Sequence, residues 1–205
     1  MHRLSPKLII LDRDGTINQD RDDYVKSPDE WEPLPHALEA IAQLNHAGWH
    51  VVVASNQSGL GRGLFDLDTL NAMHAKMHKL LAAVGARIDA VFFCPHAPED
   101  KCNCRKPASG LYEQIGDRYG MNLQGIHTVG DSLRDLQAGA AVGCKPHLVL
   151  TGKGERYRGQ ALPPEFPEGT QVHENLLAFA DWLLAQPEPS QLRNLKQLVK
   201  SGAAT

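Results

Sequence analysis

The chain has 205 residues, 42% of them hydrophobic and 22% charged, which suits one packed domain better than two or a disordered chain. Its formal net charge of -3 argues against a general nucleic-acid binder, which needs a strong basic excess, yet leaves room for a local cationic cluster facing an anionic substrate. No apolar run reaches membrane-spanning length, and Met1-His2-Arg3-Leu4 lacks the apolar core and small-residue cleavage site of a secretory signal, so a cytoplasmic location is expected.

In chain order, Lys7 to Leu11 reads as a buried strand closed by Asp12. Pro35 to Gly48 has helical spacing, with Leu38, Ile41, Ala42 and Leu44 on one face and Gly48 as the stop. Trp49 to Ala54 is a second strand, followed by a glycine-rich loop from Ser55 to Gly63. Asp66 is an N-cap signal for a helix to about Val84, on which Met73, Met77 and Leu80 form the packed face and His74 and His78 are surface residues. Ala90 to Phe93 is a third strand, and a loop rich in Cys, His and Pro runs on to about Pro107. A helix is expected over Ser109 to Tyr119, a strand over Ile126 to Val129, a helix over Ser132 to Val142 and a strand over His147 to Leu150. Gly152 to Gly169 reads as a surface loop, and Asn175 to Ala185 as the last helix. We expect one domain over residues 1–186 and a polar tail over 187–205, with a short helix near Leu192 to Val199.

Strands alternating with helices predict an α/β fold: a Rossmann-like, mostly parallel sheet with helices on both faces. In such sheets ligands bind beyond the carboxyl ends of the strands, at the switch in strand order. Asp12, Ser55, Cys94 and Asp131 each follow a predicted strand, so all four belong to that edge.

Asp12-Arg13-Asp14-Gly15-Thr16 leaves the first strand. In extended backbone, residues i and i+2 point to the same side, so Asp12 and Asp14 converge. Two close carboxylates repel unless a cation or a shared proton intervenes, and an oxygen-preferring ion such as Mg²⁺ is the natural solution. An ionised carboxylate can attack phosphorus, and a second one can protonate the leaving oxygen. A calcium loop would need a Glu twelve positions in, where Asp23 stands instead. Ser55-Asn56-Gln57-Ser58 can hydrogen-bond a phosphate, Arg105-Lys106 supplies cations, and Asp131 can join the metal.

Taken in this order, the motifs resemble those of the haloacid dehalogenase superfamily of phosphotransferases, over about residues 7 to 150. The resemblance implies Asp12 as nucleophile, Asp14 as general acid/base, and Ser55 and Lys106 as holders of the phosphoryl group. It further implies Mg²⁺ bound by Asp12, the main-chain carbonyl of Asp14, and Asp131, in a single-domain fold without a large cap.

Cys94, His96, Cys102 and Cys104 form the pattern C-x-H-x5-C-x-C, which can close a tetrahedral, structural zinc site beside Arg105 and Lys106. Cys144 reads as a small core residue. This loop, with DRDGTIN and SNQSGLGRG, resembles the zinc-loop branch of the superfamily, which holds the heptose-bisphosphate phosphatases and the histidinol-phosphate phosphatases. Asn56-Gln57-Ser58-Gly59 followed by Gly61-Arg62-Gly63 favours the first. The expectation is then a monomeric enzyme that removes the 7-phosphate of a heptose 1,7-bisphosphate in lipopolysaccharide core synthesis, with no membrane or nucleic-acid partner. Histidinol phosphate is the alternative substrate, and an inactive zinc-stabilised binding module is the alternative of another class. Asn18, Asp20, Asp22 and Tyr24 are expected at the substrate entrance, joined by Asn56, Gln57, Ser58, Arg62, Arg105 and Lys106. Arg62 and Lys153 are candidates for the distal phosphate. Ser132 stands where relatives often carry a basic residue, with Arg134 two positions later.

Overall fold

The computed structural model of the protein describes residues 7–187. Six strands form one sheet: β1 (Leu8–Leu11), β2 (His50–Asn56), β3 (Ala90–Cys94), β4 (His127–Gly130), β5 (Lys145–Val149) and β6 (Gln171–His173). Their spatial order is β3-β2-β1-β4-β5-β6, and every neighbouring pair is parallel. The order reverses between β1 and β4. Their carboxyl ends therefore open onto the crevice in which such sheets bind ligands.

The helices are α1 (Ala37–His46), α2 (Ser58–Gly61), α3 (Leu67–Ala83), α4 (Gly110–Tyr119), α5 (Leu133–Ala140) and α6 (Leu176–Leu184). β1 shows why a buried parallel strand reads as an unbroken apolar run. Ile9 and Leu11 enter the core cluster that also holds Ile41, Met73 and Phe179, while Leu8 and Ile10 enter the opposite cluster with Leu111, Tyr112 and Ile115. Side-chain alternation thus feeds both faces at once. Asp66 caps α3, its carboxylate accepting from Thr69 N at 2.8 Å, and Asn175 caps α6 in the same way through Ala178 N at 2.9 Å. Among the described residues no large second domain interrupts this order.

The structure departs from the expected elements at four places. A sixth strand, β6, lies in a segment with no apolar run. The glycine-rich loop contains the short α2. Residues Gly152–Tyr157 form a 3₁₀ helix, and Phe166 is buried with Leu136, Leu148 and Leu150, so this segment is packed structure where a surface loop was expected. His74 is half-buried against Arg13, its Nε2 lying 3.5 Å from Nη1. The helix expected near Leu192 to Val199 lies outside the described residues.

Three buried histidines cross the sheet beneath α6. His127 Nδ1 lies 2.8 Å from His147 Nε2, and His147 Nδ1 lies 3.0 Å from His173 Nε2, with Phe179 and Trp182 packed against the rings. Burial, with neighbouring positive charge, pushes His127 down to about 4 and His147 to about 2, and burial alone pushes His173 to about 4. A histidine whose folded pKa is depressed stabilises the fold fully above its unfolded value near 6.5, and that contribution is lost as pH falls toward the folded value. The denaturant midpoint is therefore expected to fall between pH 7 and pH 5, with His147 contributing about 2 kcal/mol of the change. Urea titrations of wild type and His147→Met at both pH values check this; an equal pH dependence in the two proteins contradicts it.

Candidate active site

The crevice between β1 and β4 gathers four acidic side chains and one buried lysine. Asp12 follows β1, and its amide donates to Val129 O of β4 at 2.8 Å, which pins the residue at the seam. Lys106 is fully buried and reaches across the strand ends. Its Nζ donates to Asp12 Oδ1 at 2.6 Å and to Ala54 O at 2.6 Å, and pairs with Asp135 Oδ1 at 2.7 Å. The main chain of Lys106 is clasped by the side chain of Asn56: Lys106 N donates to Oδ1 and Asn56 Nδ2 donates to Lys106 O, both at 3.0 Å.

Asp131 follows β4. One oxygen, Oδ2, accepts from Lys153 N at 2.7 Å, while Oδ1 is buried without a hydrogen-bond partner. Asp12, Asp131 and Asp135 bring one carboxylate oxygen each within 4.8 Å of one another. Close backbone approach makes this possible. Gly15 has φ +83°, and a Cβ there would stand 2.1 Å from Asp131 Oδ2.

Charge explains what the cluster needs. Burial and the neighbouring Asp135 carboxylate push Asp12 up to about 6, and burial with Asp135 and Asp12 raises Asp131 well above the carboxylate range. Burial would lower Lys106, but Asp12 and Asp135 hold it above its ordinary value. Burial would raise Asp135, but Lys106 and Arg134 bring it down. Three clustered carboxylates, of which Asp12 and Asp135 share the buried Lys106 ammonium while Asp131 keeps an orphaned oxygen, fit a hard divalent cation.

Asp14 faces away from this cluster into a bed of donors. Oδ1 accepts from Arg13 Nε (3.1 Å), Arg13 Nη2 (2.9 Å) and Asn18 Nδ2 (2.8 Å); Oδ2 accepts from Arg13 Nη2 (3.0 Å) and Gln57 Nε2 (2.8 Å). Burial would raise this carboxyl, but the Arg13 charge and these hydrogen bonds hold it below its usual value. Gln57 Nε2 also donates to Ser55 Oγ at 2.8 Å. Both groups open onto one space: Asp12, Asp14, Gln57, Lys106 and Asp135 line a single cleft of about 840 Å³, counting its open mouth.

The structure places most of the expected entrance residues on this cleft: Asp20, Asp22, Tyr24, Asn56, Gln57, Ser58 and Arg105 line it, as do Arg134 and Lys153. Two it places elsewhere. Asn18 is fully buried, its amide donated to Asp14 and to Gln19 O, and Arg62 is exposed and paired with Glu99 at 3.2 Å. Lys153 Nζ pairs with Asp20 across the mouth. Ser132 caps α5, its hydroxyl donating to Asp135 Oδ2 at 2.5 Å, and Arg134 presents the cation on this helix instead. Two site residues escaped the sequence reading. Arg13 is fully buried, which nothing in its position between two aspartates discloses. Asp135 reads in the sequence only as an acidic residue one helical turn after Asp131; the structure shows it closing a capping box with Ser132 and pairing with Lys106.

Beside the cleft, Cys94 at the end of β3 meets His96, Cys102 and Cys104. Their donor atoms are separated by 3.2 Å (Cys104–Cys94), 3.3 Å (His96–Cys104), 3.5 Å (Cys104–Cys102) and 3.6 Å (Cys94–His96 and Cys94–Cys102). All four cysteines are free thiols. A tetrahedral zinc with bonds of about 2.3 Å needs thiolates about 3.8 Å apart, so the four donors fit that ion.

A parallel sheet whose switch point carries an aspartate after β1, a buried lysine and an aspartate after β4 has the layout of the haloacid dehalogenase phosphatases, and the HAD-hydrolase-like family model matches residues 103–178. A protein of Bordetella bronchiseptica named D-glycero-beta-D-manno-heptose-1,7-bisphosphate 7-phosphatase is 58% identical over 180 residues, covering 88% of this chain and 99% of its own. One of the same name from Pseudomonas aeruginosa is 52% identical over 181 residues, covering 88% and 99%. The crystal structure of D,D-heptose 1,7-bisphosphate phosphatase from B. bronchiseptica, complexed with magnesium and phosphate, superposes with a TM-score of 0.83 over 87% of this chain and 98% of that one, at 58% identity. The corresponding enzyme of Burkholderia thailandensis gives a TM-score of 0.69 at 54% identity, covering 88% and 99%. The chain belongs to the D-glycero-D-manno-heptose-1,7-bisphosphate 7-phosphatase family.

Proposed function

We propose that this protein is a Mg²⁺-dependent phosphomonoesterase that removes the 7-phosphate of D-glycero-D-manno-heptose 1,7-bisphosphate, a step toward lipopolysaccharide core heptose. The observation that carries the reading is the 58% identity to a heptose-bisphosphate phosphatase across 99% of that protein's length. The names of both relatives favour the β anomer.

In this reading Mg²⁺ would be held by Asp12, the main-chain carbonyl of Asp14 and Asp131, and would supply neutralisation of the phosphate dianion. Asp12 attacks phosphorus, forming an aspartyl phosphate as the bond to the C7 oxygen breaks. To give that oxygen a proton, Asp14 must first take one up from solvent against the Arg13 charge and the hydrogen bonds that favour its carboxylate; the carboxylate left after transfer takes a proton from the water that hydrolyses the aspartyl phosphate and releases inorganic phosphate. Ser55 and Lys106 hold the phosphoryl oxygens. Asp20, Asp22, Tyr24, Asn56, Ser58 and Arg105 surround the sugar. Asn18 and Arg62 are left out of that set, since one is enclosed and the other points away. Cys94, His96, Cys102 and Cys104 would hold a structural Zn²⁺. We take the enzyme to be a cytoplasmic monomer, as its resemblance to small phosphatases without a large cap implies.

The test is phosphate release from the two anomers of heptose 1,7-bisphosphate and from histidinol phosphate, assayed side by side with Mg²⁺. A kcat/KM highest for a heptose anomer is the expected result. A higher value for histidinol phosphate overturns the substrate assignment. No turnover of any of the three would favour a zinc-stabilised binding module.

A further inference from the structure

The buried carboxamide of Gln57 joins two parts of the site. One amide proton goes to Ser55 Oγ and the other to Asp14 Oδ2, while Oε1 accepts from Arg13 Nη2 at 3.1 Å. A primary amide has two donors, and here both are committed within the protein. The main chain is fixed as well, since Gln57 N donates to Cys94 O at 2.8 Å. Arg13 and Ser55 together set which way the amide faces: with oxygen toward the guanidinium and nitrogen toward the hydroxyl, the remaining proton must aim at Asp14.

We propose that Gln57 is a positioning residue for the acid/base step, placing the Asp14 carboxylate through a hydrogen bond, and that it acts on the reaction through Asp14. The proposal rests on the reading of Asp14 as acid/base given above. It differs from the expectation that Gln57 binds the substrate: the side chain lines the cleft, but its hydrogen-bonding groups are spent on Arg13, Ser55 and Asp14.

The test uses the leaving group. An alkoxide leaving from a heptose needs a proton from Asp14, whereas p-nitrophenolate leaves without one. Gln57→Met keeps the length of the side chain and removes all three hydrogen bonds. Its expected effect is a fall in kcat for heptose bisphosphate of about ten- to hundredfold with KM within about threefold, below the full worth of an acid/base group. The first-turnover release of p-nitrophenol from p-nitrophenyl phosphate should stay within about threefold of wild type. If Gln57→Met does not fold, Gln57→Leu carries the same expectation, since it also removes all three hydrogen bonds and adds no charge beside Asp14. A raised KM with kcat intact overturns the proposal in favour of a sugar contact. An equal loss on both substrates overturns it in favour of phosphoryl holding through Ser55, and no loss on either overturns it outright. Asp14→Asn is run in parallel. If that variant shows no leaving-group selectivity, the reading of Asp14 itself has failed; if it does and the Gln57 variants do not, only the role of Gln57 has.

Discussion

Asp12→Asn is expected to abolish phosphatase turnover, by about four orders of magnitude or more, while leaving the protein folded. In the proposed mechanism the Asp12 carboxylate attacks phosphorus, and a neutral amide is not a nucleophile for that step. The shape change is small. Asparagine keeps an oxygen that can accept from Lys106 Nζ, and the amide hydrogen bond to Val129 O belongs to the main chain. Charge also favours the folded variant. Asp12 is clustered with the buried carboxylates of Asp131 and Asp135, so removing its negative charge relieves repulsion with both. The metal-free variant should therefore melt at the wild-type temperature or above it, with weaker Mg²⁺ binding. Residual turnover and a thermal scan, measured on the same preparation, separate the possibilities. Retained activity removes Asp12 as the nucleophile. A loss accompanied by a melting temperature several degrees lower would mean that the substitution acted on the fold, since about 1 kcal/mol corresponds to about 2–4 °C in a chain of this size.

Much of this site was legible in the sequence because the sheet is parallel and its strands are buried. A strand such as β1, with each residue sealed on both faces, has no choice but to be apolar throughout, and the first polar residue after it marks the carboxyl edge. The topology rule then collects Asp12, Ser55, Cys94 and Asp131 without any knowledge of distances. β6 was not legible for the converse reason: it is three residues long with two of them exposed, so it carries no pattern. The histidine row was hidden because it depends on β4, β5 and β6 lying side by side, which no local window contains. Arg13 was hidden by its surroundings in sequence. An arginine between two aspartates reads as a solvated charge, yet here it is sealed beneath Asp14, with Gln57 and His74 closing the other sides. Asn18 misled in the opposite sense, since a polar residue in an entrance loop became an enclosed partner of Asp14.

Cys104→Ser is expected to reduce bound zinc from about one per chain to none, to cost at least tenfold in kcat/KM, and to lower the melting temperature by about 5–15 °C, as a loss of roughly 2–4 kcal/mol would. The four donors come from places of very different rigidity. Cys94 is fully buried at the end of β3, the edge strand next to β2, and Cys104 is buried against the cluster under α4, whereas His96 and Cys102 stand on a polar loop with only a three-residue 3₁₀ turn of its own. A metal tying the four together fixes that loop to the sheet. The functional consequence lies two residues further on. Lys106 is positioned from one side by Asn56 and from the other by the chain arriving from Cys104, and Arg105 reaches back to His96 O at 3.4 Å. Freeing the loop should therefore move Arg105 and Lys106, which both line the cleft, while the sheet and its cores persist. Far-UV circular dichroism should then be nearly unchanged in the variant, and hydrogen exchange should accelerate between residues 95 and 105. Absence of zinc in wild-type protein purified under reducing, chelator-free conditions, with full activity, would sink the metal assignment. Loss of zinc with activity intact would keep the metal but remove its influence on Lys106, leaving Asn56 as sufficient to hold the lysine in place.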